Sequence, residues 1–177
     1  MSRCKVCKTA FVRRSMTHKA CSPECAVTLA QSARMKLEKR KDAETRIRLK
    51  TRAQLAAEAQ TAANAYVRAR DAHLPCVSCG RPANWDGQWH AGHYRSTGAR
   101  PDIRYDLANI WRQCSPCNLH LSGNLIGYRA ELVRRVGQAE VDRLEGPAQG
   151  EKLTRDELIE LRARYAKLAR ELKGANQ

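Results

Sequence analysis

The chain has 177 residues and carries 33 Lys and Arg against 18 Asp and Glu, which gives a formal net charge of +15 and a pI near 9.9. Of its apolar residues 26 are alanines, and aromatic residues make up only 5% of the chain. This shortage of large core side chains argues against a large single-core α/β enzyme. We find no apolar run long enough for a membrane span or a secretory signal, and we expect a cytoplasmic protein with reduced thiols, no membrane contact and a nucleic acid partner.

Residues 1–27 are predicted to form a zinc knuckle. Cys4 and Cys7 make a C-x-x-C pair, and Cys21 and Cys25 follow as a C-x-x-x-C pair. Two thiolates a few residues apart can occupy two corners of one tetrahedron, so two pairs complete the shell of one zinc ion. Four thiolates leave no open position for water, and we therefore expect a structural zinc. Redox chemistry at a single pair is the alternative, although no strand–helix context of the thioredoxin type surrounds any pair.

Residues 28–74 are predicted to form a long basic helical arm. The stretch from Ala26 to Leu74 contains neither Gly nor Pro, and a helix of roughly 45 residues would reach about 65–70 Å. Nine Lys and Arg lie between residues 34 and 52 against three acidic residues. The arm is interpreted either as a solvated helix or linker, or as a surface that follows DNA phosphates or holds a dimer partner. Its candidate DNA-binding residues are Lys36, Lys39 and Arg40.

Residues 75–145 contain a second set of four cysteines and a possible strand pair. Trp85–Tyr94 is predicted to form a short hairpin with Asp86-Gly87 at its turn, and Asn109–Gln113 leads into the last cysteine pair. An amphipathic helix is predicted for Leu125–Val136, ending near Gly137. A second structural zinc is expected on Cys76, Cys79, Cys114 and Cys117.

The same segment carries a family resemblance. The motifs WHAGHYRSTGARPDIR, NIWRQCSPCN and SGN, followed by IGYRAELVRRVG, resemble the NinG (Rap) recombination protein family of phage lambda. The segment also resembles the His-Me finger (HNH) endonuclease module, because a histidine at the end of a strand is followed some 16 residues on by an Asn and then by a C-x-x-C with Asn directly after it. The resemblance implies a mainly α protein with a small zinc-stapled ββα-metal module, and a metal-dependent endonuclease that prefers branched or Holliday-junction DNA and leaves 5′-phosphate and 3′-hydroxyl ends.

Three residues fall on the signature positions of the module. Phosphodiester hydrolysis needs a base for the attacking water and a cation for the developing charge. The imidazole of His93 suits the first task at neutral pH. Asn118 offers an amide oxygen, which is a suitable ligand for Mg²⁺ or Mn²⁺. The resemblance implies that Asn109 orients the His93 ring through a hydrogen bond.

The sequence departs from the wider superfamily at Gly92, where many members have an Asp or His as a second metal ligand. His90 is the nearest substitute, and Asp86 and Asp106 are further candidates. Four arginines near the site are candidate phosphate contacts. They are Arg95, Arg100, Arg104 and Arg112.

Residues 150–174 are predicted to contain a final helix, from about Leu153 to Lys173, with a capping box between Thr154 and Glu157. One face of this helix is apolar. It carries Leu158, Leu161, Tyr165, Leu168 and Leu172. The stripe is interpreted as packing against the long N-terminal helix or as a dimer seam, and we expect a homodimer because junction resolution needs two symmetric cuts.

Two other functions are compatible with the sequence. A non-catalytic DNA-binding protein with the same zinc-stapled fold is the main alternative, and Gly92 is its best support. An RNA-binding or RNA-cleaving protein is a third hypothesis, because positive charge does not distinguish RNA from DNA.

Overall fold

The computed structural model describes residues 1–148, 150 and 152–175, which form a mostly helical protein with two small sheets. The chain divides into two compact units, Met1–Lys50 and Thr51–Gln177. The division falls inside the stretch that the sequence assigns to one arm. None of the helices within the described residues combines the length and the apolar character needed to cross a membrane.

Unit 1 consists of a small cysteine-bearing lobe and one long helix. Strands β1 (Ser2–Arg3) and β2 (Ala10–Phe11) pair antiparallel around the first cysteine pair. Helix α1 (Pro23–Leu49) begins after Ser22, whose hydroxyl accepts a hydrogen bond of 3.3 Å from the Cys25 amide. The 27 residues of α1 include none that is buried.

The prediction of one long helical arm over residues 28–74 is wrong. Helix α1 ends at Leu49, and α2 (Arg52–Arg70) begins after Thr51. The Thr51 hydroxyl accepts from the Gln54 amide at 3.2 Å, and the Gln54 side chain accepts from the Thr51 amide at 2.8 Å. Because this capping box satisfies amides that a continuous helix would bond itself, the chain starts a new helix here without any Gly or Pro.

Unit 2 is built on an antiparallel pair of strands, β3 (Trp89–His93) and β4 (Ile110–Cys114). The register runs from Trp89 opposite Cys114 to His93 opposite Ile110. The predicted hairpin over Trp85–Tyr94 is therefore wrong, because β3 pairs with a strand that follows it by a long loop. A Cβ at Gly87 would lie 2.1 Å from the Trp85 ring, so this ring packs directly against the backbone of Gly87.

Short helical turns and three helices complete unit 2. A 3₁₀ turn (Pro101–Ile103) lies between the strands, and a π-helical turn (Pro116–His120) follows β4. Helix α3 has the predicted bounds, Leu125–Val136, and α4 (Gln138–Glu145) follows Gly137. Helix α5 is Arg155–Ala175. Its predicted capping box is confirmed, since the Glu157 amide donates to the Thr154 hydroxyl at 3.3 Å and the Thr154 amide donates to the Glu157 carboxylate at 2.7 Å.

Helix α5 packs against α2. Leu158 is buried with Leu55 and Ala59 of α2, and the rings of Tyr66 and Tyr165 stack with their centroids 5.5 Å apart. The predicted apolar stripe of α5 is therefore used within the chain, and the partner helix is α2. A dimer, which stays a prediction, would need another surface.

A second apolar cluster lies between the loop after β3 and helices α3 and α4. Tyr128 and Leu132 of α3 are fully buried there. The cluster also contains Val77, Tyr94, Ile103, Val141 and Leu144. The Tyr128 hydroxyl donates to the Gly92 carbonyl at 2.9 Å, which joins α3 to β3.

This cluster allows a test of the fold on one helix. Leu132→Ala removes a side chain that is 0% exposed, and we expect the free energy of unfolding to fall by about 2–5 kcal/mol because a cavity remains. Ile126→Ala, at a side chain that is 90% exposed on the same helix, should change it by less than about 0.5 kcal/mol. Urea unfolding of the zinc-loaded protein, followed by circular dichroism, measures both values. Equal effects of the two substitutions would contradict the described core.

Candidate metal and catalytic sites

The eight cysteines form two quartets, as the sequence predicts. In each quartet all four Sγ atoms lie within 4.8 Å of one another, and the cysteines are free thiols. The Sγ atoms of Cys21 and Cys25 are 3.8 Å apart, and those of Cys79 and Cys114 are 3.7 Å apart. A tetrahedron with Zn–S bonds of about 2.3 Å has edges of about 3.8 Å. Both quartets can therefore hold a zinc ion.

The second quartet joins the strand pair to α3. The Cys114 amide lies 3.4 Å from the Cys76 sulfur, and the Asn124 side chain lies 3.7 Å from the Cys117 sulfur. Asn124 also donates to the Ser78 carbonyl at 3.3 Å and has a φ of 43°, in the left-handed region. Asn tolerates this conformation better than most residues. Asn124 therefore turns the chain into α3 and supplies a donor to the second cysteine quartet.

His93 is half-buried at the end of β3. Its Nε2 atom lies 3.0 Å from the Arg104 carbonyl oxygen and 3.4 Å from the Gln60 side-chain nitrogen. A carbonyl only accepts, so we infer that Nε2 carries the proton and donates to Arg104. The Gln60 nitrogen donates instead to a closer acceptor, the Asn64 side-chain oxygen, at 2.7 Å. Nδ1 is then the unprotonated nitrogen, and it has no hydrogen-bond partner among the described residues.

The surroundings of His93 favour the neutral ring. Burial lowers the pKa of His93, because the charged form loses hydration. The hydrogen bond to the Arg104 carbonyl raises this pKa, and the positive Arg104 guanidinium lowers it, with a net lowering. The adjacent Tyr94 donates to Glu145, and burial together with that carboxylate raises the pKa of Tyr94 to about 12. Of these two adjacent residues, His93 is therefore the one that can accept a proton at neutral pH.

Asn109 does not orient the His93 ring, which corrects the expected role. Its side-chain oxygen accepts from the Arg95 amide at 2.8 Å, and its nitrogen lies 3.1 Å from the Arg95 carbonyl. The same nitrogen donates to the Ile103 carbonyl at 3.2 Å. Asn109 is fully buried and fixes the backbone of the loop that leaves β3. The ring itself is positioned by the Arg104 carbonyl.

His90 and His93 lie on opposite faces of β3, because side chains alternate along a strand. His90 shares its face with Gly92, and a Cβ at Gly92 would lie 2.0 Å from the Gln113 side-chain oxygen. The space that a second metal ligand would need is thus filled by Gln113. Within residues 1–148, 150 and 152–175, only the two cysteine quartets bring three or more Cys, His, Asp or Glu ligand atoms together.

The other candidate ligands lie apart from such a cluster. Asn118 is part of the π-helical turn directly after Cys117 and is half-buried. Its side chain has no hydrogen bond among the described residues, so its amide oxygen stays available as a ligand. The Asp106 carboxylate pairs with Arg143 and accepts a hydrogen bond from the Ala108 amide. Both contacts stabilise the loop before β4.

Arg112 is buried by contacts within unit 2. The prediction that it contacts DNA phosphates is therefore wrong. It is only 7% exposed and stacks 3.6 Å above the centroid of the Trp89 ring. Its guanidinium donates to the carbonyls of Leu74, at 3.1 Å, and Ala83, at 3.3 Å. The Arg112 amide donates to Asp71 at 3.1 Å, and Asp71 is bound through both carboxylate oxygens by Arg70. Arg112 thereby ties β4 to the end of α2.

Arg100 is likewise buried, at 6% exposure, so its prediction as a DNA contact is wrong. It forms two hydrogen bonds with Asp102, of 2.9 and 2.8 Å, and donates to the Leu144 carbonyl at 2.8 Å. These contacts hold the loop that connects β3 and β4 against α4.

The remaining candidate cations keep some exposure. Arg95 and Arg104 are half-buried, and Arg104 donates to the Gln60 side chain at 2.8 Å. The three arm residues are exposed on α1, and their DNA contacts stay a prediction. They are Lys36, Lys39 and Arg40.

The sequence analysis missed the part that α2 plays at His93. Gln60 bridges His93, Arg104 and Asn64, yet it lies in a stretch interpreted as an arm. A signal was present in the spacing of the buried residues of α2, which recur every fourth position. They are Leu55, Ala59, Ala63 and Val67. Such a stripe indicates a packed helix.

Zinc stoichiometry tests the two quartets. We expect two zinc ions per chain, because each quartet offers a complete tetrahedral shell. Cys76→Ser should reduce the content to one zinc and unfold the strand end in unit 2, whereas Cys4→Ser should remove the other zinc and leave unit 2 unchanged. Atomic absorption gives the metal content, and near-UV circular dichroism of the tryptophans, which all lie in unit 2, gives the second readout. A wild-type protein with one zinc or none would contradict the assignment.

The family model and the related proteins that match this chain all point to one family. The chain matches the family model described as "Bacteriophage Lambda NinG protein" over residues 1–175. It is 43% identical to "Protein ninG" of Escherichia phage 933W over 111 residues, which are 63% of this chain and 54% of that protein. The corresponding protein of Escherichia phage lambda is 42% identical over 63% of this chain and 53% of its own length.

A third relative is covered more fully. "Protein ninG" of Enterobacteria phage H19B is 36% identical over 91% of this chain and 88% of that protein. The matched part spans about half the length of the 933W and lambda relatives. No solved structure matches the chain. The family model, which covers nearly all of the sequence, shows that the chain belongs to the NinG family.

Proposed function

We propose that this protein is a metal-dependent DNA endonuclease of the His-Me finger type, in which His93 is the general base. The observation that carries the proposal is the state of the His93 ring. Its Nε2 is held by a backbone carbonyl 3.0 Å away, its Nδ1 has no hydrogen-bond partner in the part of the chain that the structure describes, and its surroundings favour the neutral form. A positioned neutral imidazole with one free nitrogen is what a base for hydrolysis needs.

The residues around His93 support a defined sequence of proton movements. Nδ1 takes a proton from the attacking water, and the Nε2–H bond to the Arg104 carbonyl stabilises the positive ring that results. The bond from Arg104 to Gln60 and the buried Asn109 keep the surrounding loop in place, so the ring does not reorient between turnovers. Hydrolysis at the 3′ oxygen would leave the expected 5′-phosphate and 3′-hydroxyl ends.

Asn118 is the protein ligand proposed for the catalytic Mg²⁺ or Mn²⁺. Its amide oxygen is a hard donor, and its position next to Cys117 places it on a turn fixed by the second quartet. Mg²⁺ commonly binds through one or two protein ligands together with waters and substrate phosphates, so a preformed cage is not required. When bound, the ion would neutralise charge on the phosphate and on the leaving oxygen.

The order β3, β4 and α3 around a thiolate quartet also suits a ββα-metal module. Recombination, which the family resemblance implies, points to branched DNA as the substrate. Two symmetric cuts at a junction would need two copies of the chain, and the homodimer therefore stays part of the proposal.

A second candidate is a zinc-stapled DNA-binding protein without catalysis. One observation favours it, namely that Gln113 fills the space beside Gly92 where a second metal ligand would lie. The two functions differ in whether DNA is cut in the presence of Mg²⁺ or Mn²⁺.

The first test is cleavage of a labelled four-way junction and a matched linear duplex. We expect His93→Ala to reduce the cleavage rate about 10²- to 10⁴-fold while DNA binding is kept, because only the base is lost. His73→Ala is the matched control, since His73 is exposed in the turn after α2. If the wild type binds both DNAs and cuts neither with Mg²⁺ or Mn²⁺, the endonuclease proposal fails and the binding protein replaces it.

The pH profile of cleavage provides an independent test. His93 accepts a proton only when neutral, and its lowered pKa means that activity persists below the ordinary histidine value of about 6.5 and is lost at lower pH. Arg104→Gln removes a positive charge that lowers the pKa of His93. The acid limb of this variant's cleavage profile should therefore move to higher pH. The readout is the apparent pKa of the acid limb, which a change in DNA affinity alone does not shift. An acid limb that stays in place in Arg104→Gln would argue against His93 as the base.

A further inference from the structure

The positive charge of the chain is concentrated in unit 1. Residues 1–50 contain 14 Lys and Arg against 4 Asp and Glu, which is +10 of the total +15. Unit 2, which contains His93, therefore carries only +5. The surface that attracts a polyanion most strongly is thus on a different unit from the proposed catalytic residues.

Helix α1 carries seven of these 14 Lys and Arg together with all four acidic residues of unit 1, a net charge of +3, and it is unusual in having no buried residue. Its 27 residues span about 40 Å. Helices in globular proteins gain most of their stability from packing one face, and an unpacked helix is marginal in water. The Arg34–Glu38 ion pair, at 3.1 Å, adds little because both side chains are exposed. A helix with this surface is expected to be stabilised by a partner, and its excess of cations favours an anionic one.

Six of the seven cations of α1 form two separate rows, and the seventh, Arg46, lies seven residues after Lys39 on the side of the first row. Lys36, Lys39 and Arg40 are spaced i, i+3, i+4 and share one face, which we call the Lys36 row. A second set, the Arg34 row, recurs every seventh residue on another face. It consists of Arg34, Lys41 and Arg48. At about 100° per residue the centres of the two rows are about 150° apart around the helix.

Acidic residues separate the two rows on both sides. Glu38 and Asp42 lie between them on one flank of the helix, and Glu44 lies between them on the other. The helix therefore presents two opposite positive stripes instead of one broad band. A single duplex, lying on one side of a helix about 10–12 Å thick, would contact only one stripe.

We propose that α1 lies between two DNA duplexes, with each row bound to the phosphates of one duplex. The proposal rests on the proposed function in taking DNA as the partner, and it names the feature of α1 that selects branched DNA. Two duplexes repel each other, and a helix between them holds their surfaces apart by about one Debye length while its cations neutralise both. Two duplexes converge in this way at a branch point and not along linear DNA.

Three triple variants with the same change in charge test this inference. One removes the Lys36 row (Lys36→Gln, Lys39→Gln and Arg40→Gln), and one removes the Arg34 row (Arg34→Gln, Lys41→Gln and Arg48→Gln). The control carries Arg164→Gln, Lys167→Gln and Arg170→Gln at exposed positions of α5. Each is made in the 177-residue His93→Ala protein with zinc and without Mg²⁺. Binding is then measured separately from cleavage, so failure of the catalytic proposal does not affect the result.

We expect both row variants to bind a four-way junction about 10-fold or more weakly at 0.15 M salt. The slope of log affinity against log salt should fall by about 2–3 for the junction, because three phosphate contacts are lost. Linear duplex affinity should fall less than about 2-fold, because the other row remains, and the control should change neither affinity. Loss of both affinities in one row variant alone would mean binding on a single face. Equal losses in all three variants would mean a net-charge effect, and no loss in either row variant would remove α1 from the DNA surface. Each of these three results overturns the inference.

Discussion

A two-stranded ribbon does not stay ordered in water without support, and the rest of unit 2 supplies that support. Strands β3 and β4 have five residues each. On one face Val67 of α2 packs with Ala91 and Ile110, and on the other the Tyr128 hydroxyl binds the Gly92 carbonyl. At the end of β4 the second cysteine quartet joins the ribbon to the chain segments before and after it. With these supports the end of β3 is rigid enough to hold one histidine ring in a fixed orientation.

The same supports explain why so few side chains of the ribbon face solvent. Arg112 is used to join β4 to the end of α2, and Gln113 donates to the Ser78 hydroxyl and the Gly123 carbonyl, both at 2.6 Å. Gly92 leaves room for Gln113, so the residue that looks like a missing metal ligand has a packing role. At the end of the ribbon the His93 ring lies between α2 and the loop before β4, and the proposed chemistry depends on this position.

The sequence predicts well those features whose causes are local. The cysteine pairs are close in the chain, and α3 and α5 have apolar periods, with a capping box on α5, so quartets and helices follow from neighbouring residues. The break at Thr51 was missed because Thr and Gln are also tolerated inside helices. The partner of β3 was missed because it lies beyond a long loop. Arg100 and Arg112 resemble surface arginines of any basic protein, and only the distant carbonyls that they bind reveal their burial.

The packing of α2 against α5 also bears on how the chain is made. Leu55 and Leu158 meet in one cluster but are about a hundred residues apart in the sequence. At the usual rate of about 5–20 residues per second, the ribosome needs roughly 5–20 s to extend the chain from one to the other. Throughout that time the apolar stripe of α2 lacks the helix that covers it, whereas the N-terminal thiolates are already present to bind zinc. The nascent chain is therefore expected to order from its metal-binding end, with the pairing of α2 and α5 among the last events of folding.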